Sequence, residues 1–212
     1  ELIRLAEQMR DEDFDSYEHI YLGRPKEIAD GAIYKAEFEA IRKSNRICNV
    51  PHDPNLPVYT SWDLGILDPT AIWFFQIYGK EVRVIDYYEA NNEPLAHYAR
   101  ILDEKREALG YRYEKHFAPH DIAARDLSSG VSREQTMANL GYRMTKGARL
   151  GVEDRIEATR QMLKNCWFDS EKCAAGIRAL QNYRREFNDK LEQFKATPVH
   201  DWASHGSDAF GE

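Results

Sequence analysis

The chain has 212 residues, 42% hydrophobic and 31% charged, with a formal net charge of −7. That is enough to bury one good-sized core plus an appendage, and the acidic balance argues against a protein whose whole surface binds nucleic acid, while leaving room for a local basic track. No apolar run reaches bilayer-spanning length and no signal-like segment opens the chain. Cys48, Cys166 and Cys173 lack CxxC spacing, so a membrane protein, a disulfide framework and a zinc-thiolate site are set aside and a soluble protein of a reducing compartment is expected. The start at Glu1 reads as a piece of a longer polypeptide.

Residues 1–54 are acidic and weakly periodic, and "RDEDFDSYEHIYLGRP" reads as a connecting segment with a helix at each end. "PHDPNLP" punctuates, and a domain of residues 55–212 is expected to follow. "VYTSWDLG" is β-rich, and "TAIWFFQIYGKEVRVIDYYEA" holds two strand-type runs joined at "YGKE", which predicts a three-stranded antiparallel meander. "PLAHYARILDEKREALG" has helical spacing and a terminal Gly, and "YEKHFAPHD" reads as a strand. Then come a short helix in "SREQTMANLG" with Ser132 as N-cap, a strand in "YRMTK", a helix in "VEDRIEATRQMLKN" and a strand in "CWFDSE". "KCAAGIRALQNYRREF" reads as helical, "NDKLEQFKATP" as a hairpin or loop, and "HDWASHGSDAF" as a terminal helix. The order predicts an α/β fold, a mixed sheet covered by helices on both faces.

Asp63 falls at the end of the first strand of the meander, and Asp121 just past the strand that follows the crossover helix. A helical crossover favours neighbouring parallel strands, so both carboxylates are expected at one sheet edge. On the terminal helix Asp201, His205 and Asp208 share a face at i, i+4 and i+7, with Asp201 expected to cap the N-terminus. Clustered acids raise one another's pKa unless cations sit among them, and two Mg²⁺ or Mn²⁺ ions would relieve that cost and suit in-line phosphodiester cleavage. Singly, each residue has a plainer reading: a polar turn for Asp63, a helix cap for Asp121, a solvated face for the terminal helix. "YRMTKGARLG" concentrates Arg143, Lys146 and Arg149 beside glycines, as phosphate contacts require, although an ordinary solvated loop has the same composition.

"SWDLGILDPTAI", "APHDIAARDLSSGVSREQTMANLGY" and "HDWASHGSDAF", in that order, resemble the nuclease domain of the large terminase subunit of tailed bacteriophages, and "EDFDSYEHIYLGRPKEIADGAIY" resembles the segment joining that family's ATPase domain to its nuclease. The resemblance implies an RNase H-like fold and two-metal endonuclease chemistry, with Asp63, Asp121 and Asp208 as ligands of Mg²⁺ or Mn²⁺ and His205 as an auxiliary ligand or proton carrier. It also implies double-stranded DNA as substrate, the host cytoplasm as location, and the portal protein, small terminase subunit and own ATPase domain as partners. The chain lacks G-x-x-x-x-G-K-[ST], so these residues hold no P-loop. Two other readings fit the residues: a junction or RNA–DNA hybrid nuclease on the same fold, and a nonenzymatic module that docks DNA or a portal.

Overall fold

The computed structural model describes residues 2–12, 17, 20, 21, 29, 31–65, 68–125, 130–188 and 190–212. The middle of the expected connecting segment, and parts of "DLGILDPT" and "ARDLSSG", lie outside them. The elements run α1 (Leu2–Glu12), α2 (Lys35–Lys43), β1 (Ile47–Cys48), β2 (Val58–Asp63), β3 (Thr70–Tyr78), β4 (Glu81–Ala90), α3 (Leu95–Leu109) and β5 (Tyr113–Ala118). After a 3-10 turn at His120–Ala123 come α4 (Arg133–Asn139), β6 (Met144–Lys146), α5 (Val152–Leu163), β7 (Cys166–Asp169), α6 (Ala174–Asn182), β8 (Arg185–Asn188), β9 (Gln193–Pro198) and α7 (Trp202–Phe210).

The meander forms as expected. Gly79 takes φ +60° in the turn between β3 and β4, a conformation that glycine reaches without steric cost. Strand alternation then divides the molecule into two cores. On β3, Ala71 and Trp73 face one side with Val84, Phe168, Leu180 and Phe210, while Ile72 and Phe74 face the other with Trp62, Tyr98, Leu102 and Met137. Helix α3 ends where Gly110 adopts the left-handed conformation at φ +72° and its N–H returns to the Arg106 carbonyl. The crossover places β5 parallel to β2, and β6 parallel to β5. The seven strands lie in the order β1-β7-β4-β3-β2-β5-β6, a mixed sheet with helices on both faces.

Two stretches depart from the sequence reading. The helix expected to continue through "NYRREF" stops at Asn182: Tyr183 turns inward to stack on Tyr34 at 5.9 Å, and Arg185–Asn188 pairs with β9. Phe187 meets Phe194 across that hairpin at 5.2 Å, a cross-strand aromatic pair that a helix could not make. Within the expected connecting segment, Tyr34, Phe38 and Ile41 are buried in the first core and β1 pairs in parallel with β7. Residues 33–48 are therefore built into this fold.

Candidate active site

Parallel pairing of β2 with β5 and of β5 with β6 brings three carboxyl-terminal strand ends to one edge of the sheet. β2 delivers Asp63 there. Trp62 is fully buried in the second core, its Nε1–H donating to Thr60 Oγ1 at 2.7 Å, so Asp63 must point to the opposite face. Its cross-strand partner is Ala71, which lies in the first core, the side on which α7 packs.

Helix α7 starts as the sequence indicates. The Asp201 carboxylate accepts from the Ala203 N–H at 2.9 Å and is held by Arg184 at 2.8 Å, so Asp201 is a cap. The helix approaches the sheet through Gly206, whose carbonyl accepts from Trp73 Nε1–H at 2.7 Å, while Ala209 and Phe210 enter the core. That contact sets the height at which the polar face of α7 meets Asp63. His205, buried, places Nδ1 3.2 Å from Asp63 Oδ2.

Asp208, one turn further on, forms an ion pair with Arg155 of α5 at 2.7 Å, and the same guanidinium lies 3.9 Å from Glu212. Glu212 lies against Gly147, just after β6, where any side chain would collide with its carboxylate. Asp121 sits in the 3-10 turn after β5, more than half exposed, with Arg133 at 3.6 Å. Arg133 also donates to the Leu64 carbonyl at 2.8 Å, tying that turn to the end of β2.

The electrostatics follow from this packing. Burial lifts the Asp208 carboxyl above its ordinary range, opposed by Arg155 and reinforced by Asp63. Burial likewise lifts Glu212, opposed by Arg155 and reinforced by the charges of Asp63, Asp208 and Asp121. The hydrogen bond to Asp63 raises His205, and its partial burial works the other way. Four acids thus share one electrostatic field, with Arg155 the cation that faces two of them. Such an oxygen-donor set, short of positive charge, fits hard divalent cations.

Of the expected site residues, Asp63 and His205 are in direct contact, and Asp208 and Asp121 stand at the same edge. The three acids do not close on one another as a ready-made cage. Among the described residues, the group whose ligand atoms lie within 4.8 Å of one another is Asp68, His200 and His205. Lys146 ends β6 at the site edge and pairs with Glu134 at 3.2 Å. Arg143 directly precedes the same parallel strand, and Arg149 lies exposed in the loop beyond it.

Sequence reasoning missed Glu212 and Arg155. Glu212 carries a faint signal as a further acid four residues past Asp208, but α7 ends at Phe210 and Glu212 lies beyond its cap, Gly211. Arg155 carries none, because one arginine among the charges of α5 is indistinguishable from a solvated one.

The sheet order and the acid-bearing edge define an RNase H-like α/β domain. Among solved structures, this is the fold of the nuclease domains of phage large terminases. The large terminase of one thermophilic bacteriophage matches with a TM-score of 0.65 at 18% identity, over 85% of this chain and 44% of that one. The P22 large terminase nuclease domain matches with a TM-score of 0.57 at 14% identity, over 79% of this chain and 85% of that one. The large terminase nuclease of another thermophilic phage, G20c, in a structure with bound cobalt, matches with a TM-score of 0.54 at 11% identity, over 87% and 98%. The chain thus spans less than half of the first of these terminases and most of the isolated nuclease domains. No protein-family model matches it, and neither does any curated protein.

Proposed function

We propose that this domain is a divalent-metal-dependent DNA endonuclease of the large terminase type, cutting concatemeric viral DNA as genomes are packaged. The observation that carries the reading is the placement of Asp63 at the end of β2 and Asp121 in the turn just past the parallel, adjacent β5, with α7 laying His205 against Asp63 and bringing Asp208 to the same edge. In this reading Asp63, Asp121 and Asp208 hold two Mg²⁺ or Mn²⁺ ions, with Glu212 as a further oxygen donor. When bound, such ions would supply positive charge that favours ionisation of an attacking water and stabilises a leaving 3′ oxygen.

The chain's own groups do the rest. His205 is oriented by its bond to Asp63, which also raises its proton affinity, and moves protons at the sheet edge. Arg155 pairs with Asp208 and partly offsets the charge of Glu212. Lys146, at the same edge, and Arg149 meet phosphates, which gives sequence-independent, salt-sensitive binding. Arg143, just before β6, meets the same phosphate backbone as the duplex extends from the site. The cobalt-bound G20c nuclease supports divalent-metal use. The portal protein, the small terminase subunit and an ATPase domain are the partners this reading proposes, in the host cytoplasm.

The test is cleavage of supercoiled plasmid by the purified domain with Mn²⁺, Mg²⁺ or EDTA, beside Asp63→Asn. The reading expects metal-dependent nicking and linearisation that the substitution abolishes, while DNA retention changes little. Cutting that persists in EDTA or in Asp63→Asn contradicts it.

A further inference from the structure

Next to the acid edge, Asp68, His200 and His205 bring one carboxylate oxygen and two ring nitrogens within 4.8 Å of one another. Their hydrogen bonds fix what those nitrogens offer. Ser204 Oγ donates its single proton to the Asp201 carbonyl at 2.7 Å, so in its 3.0 Å contact with His200 the ring is the donor, through Nδ1–H. His200 therefore carries a lone pair on Nε2, the atom that stands 3.6 Å from Asp68 Oδ2. His205 gives its Nδ1–H to Asp63, so its neutral ring carries the lone pair on Nε2. The two rings meet edge to face at 5.3 Å.

With both rings neutral, three Lewis bases thus converge, and each imidazole has a hydrogen-bond acceptor at its Nδ1. That is the arrangement in which outer hydrogen bonds orient histidines for a metal. The donor set separates this place from its neighbour: carboxylates alone suit Mg²⁺, whereas two imidazoles with one carboxylate favour the later first-row ions. We propose that Asp68, His200 and His205 form a second, nitrogen-rich cation site that takes Zn²⁺ or a similar late first-row divalent ion at the rim of the acid edge. Occupancy would cross-link the segment between β2 and β3 to the start of α7. It would also hold His205 in the tautomer that serves Asp63. The site shares His205 with the nuclease centre but does not depend on the nuclease reading.

The experiment is calorimetric titration of Zn²⁺ into the tag-free domain without DNA, with nitrogen-15 spectra of the histidine rings recorded in parallel. The His200 and Asp68 side chains are 69% and 57% exposed, so His200→Gln and Asp68→Asn leave the fold intact. The proposal expects Zn²⁺ to shift the Nε2 resonances of His200 and His205. It expects each substitution to weaken that binding at least tenfold while Mg²⁺-supported plasmid cutting is retained, and Asp208→Asn to keep the Zn²⁺ response. Unchanged Zn²⁺ affinity in His200→Gln and Asp68→Asn, or ring resonances that do not move, overturns it. Failure of the nuclease reading would show instead as no cutting with any metal and an intact Zn²⁺ response.

Discussion

Replacing Gly206 with alanine places a methyl group where α7 touches its neighbours most closely. The new Cβ would lie 2.7 Å from the Ala179 Cβ and 3.0 Å from the Tyr87 hydroxyl oxygen. Carbon atoms settle at about 3.5–4.0 Å, so α7 must retreat by about 1 Å or the α6 contact must open. Over-packing of this kind costs about 1–3 kcal/mol, and the better helix propensity of alanine returns about 1 kcal/mol. The net loss is about 0–2 kcal/mol, at most several degrees in Tm for a domain of this size. Activity is expected to respond more. His205 and Asp208 ride on the displaced helix, the Trp73 bond to the Gly206 carbonyl stretches, and a misplacement of about 1 Å at a reacting centre costs on the order of 100-fold in rate. Thermal denaturation and plasmid cleavage on the same preparation separate the two effects. Cutting within about twofold of the parent protein, in a variant whose Tm has fallen, would refute the claim that this contact positions the polar face of α7.

His116 is buried with its Nδ1 2.6 Å from Thr60 Oγ1, and burial pushes its pKa down to about 4. The unfolded chain then binds the extra proton between about pH 6.5 and 4, so this residue's contribution is complete above about pH 6.5 and is lost as pH falls towards 4, up to about 3 kcal/mol. Urea unfolding of the parent chain and His116→Gln at pH 7.5 and pH 4.5 checks it: the stability gap between them should narrow or reverse at the lower pH. Arg155→Ala leaves Asp208 and Glu212 without their cation, which is expected to cost about 1–3 kcal/mol in EDTA and to be partly rescued by millimolar Mn²⁺ in thermal denaturation. Lys146→Ala should weaken DNA binding uniformly across sequences and reduce the slope of log K against log salt by about 1, measured by fluorescence anisotropy at several salt concentrations.

The meander, the crossover and the terminal helix were legible because each rests on local pattern: alternation in "TAIWFFQIY", glycine punctuation at Gly79 and Gly110, and capping at Ser132 and Asp201. The acid edge was legible for the same reason, since a crossover between parallel strands fixes which ends coincide. The β8–β9 pairing was only half visible: helical spacing runs up to Asn182, and the strand beyond it is stabilised by Phe194, seven residues past Phe187. Burial of Tyr34, Phe38 and Ile41 depends on partners more than a hundred residues away, which no local window contains. Glu212, Arg155 and the Asp68–His200 pair likewise owe their places to the docking of α7 and α5 on the sheet. The sheet edge could be read from the chain, but the electrostatic company at that edge could not.

If Asp63, Asp121 and Asp208 hold the cations that cut DNA, bound metal must be found among their carboxylates. The most direct measurement is anomalous diffraction from crystals of the domain soaked in Mn²⁺. The expectation is manganese peaks within coordinating distance of the Asp63 and Asp208 carboxylates, with Asp121 turned from Arg133 towards them and Arg155 displaced from Asp208. Crystals that take up manganese elsewhere while Asp208 stays paired with Arg155 would contradict it.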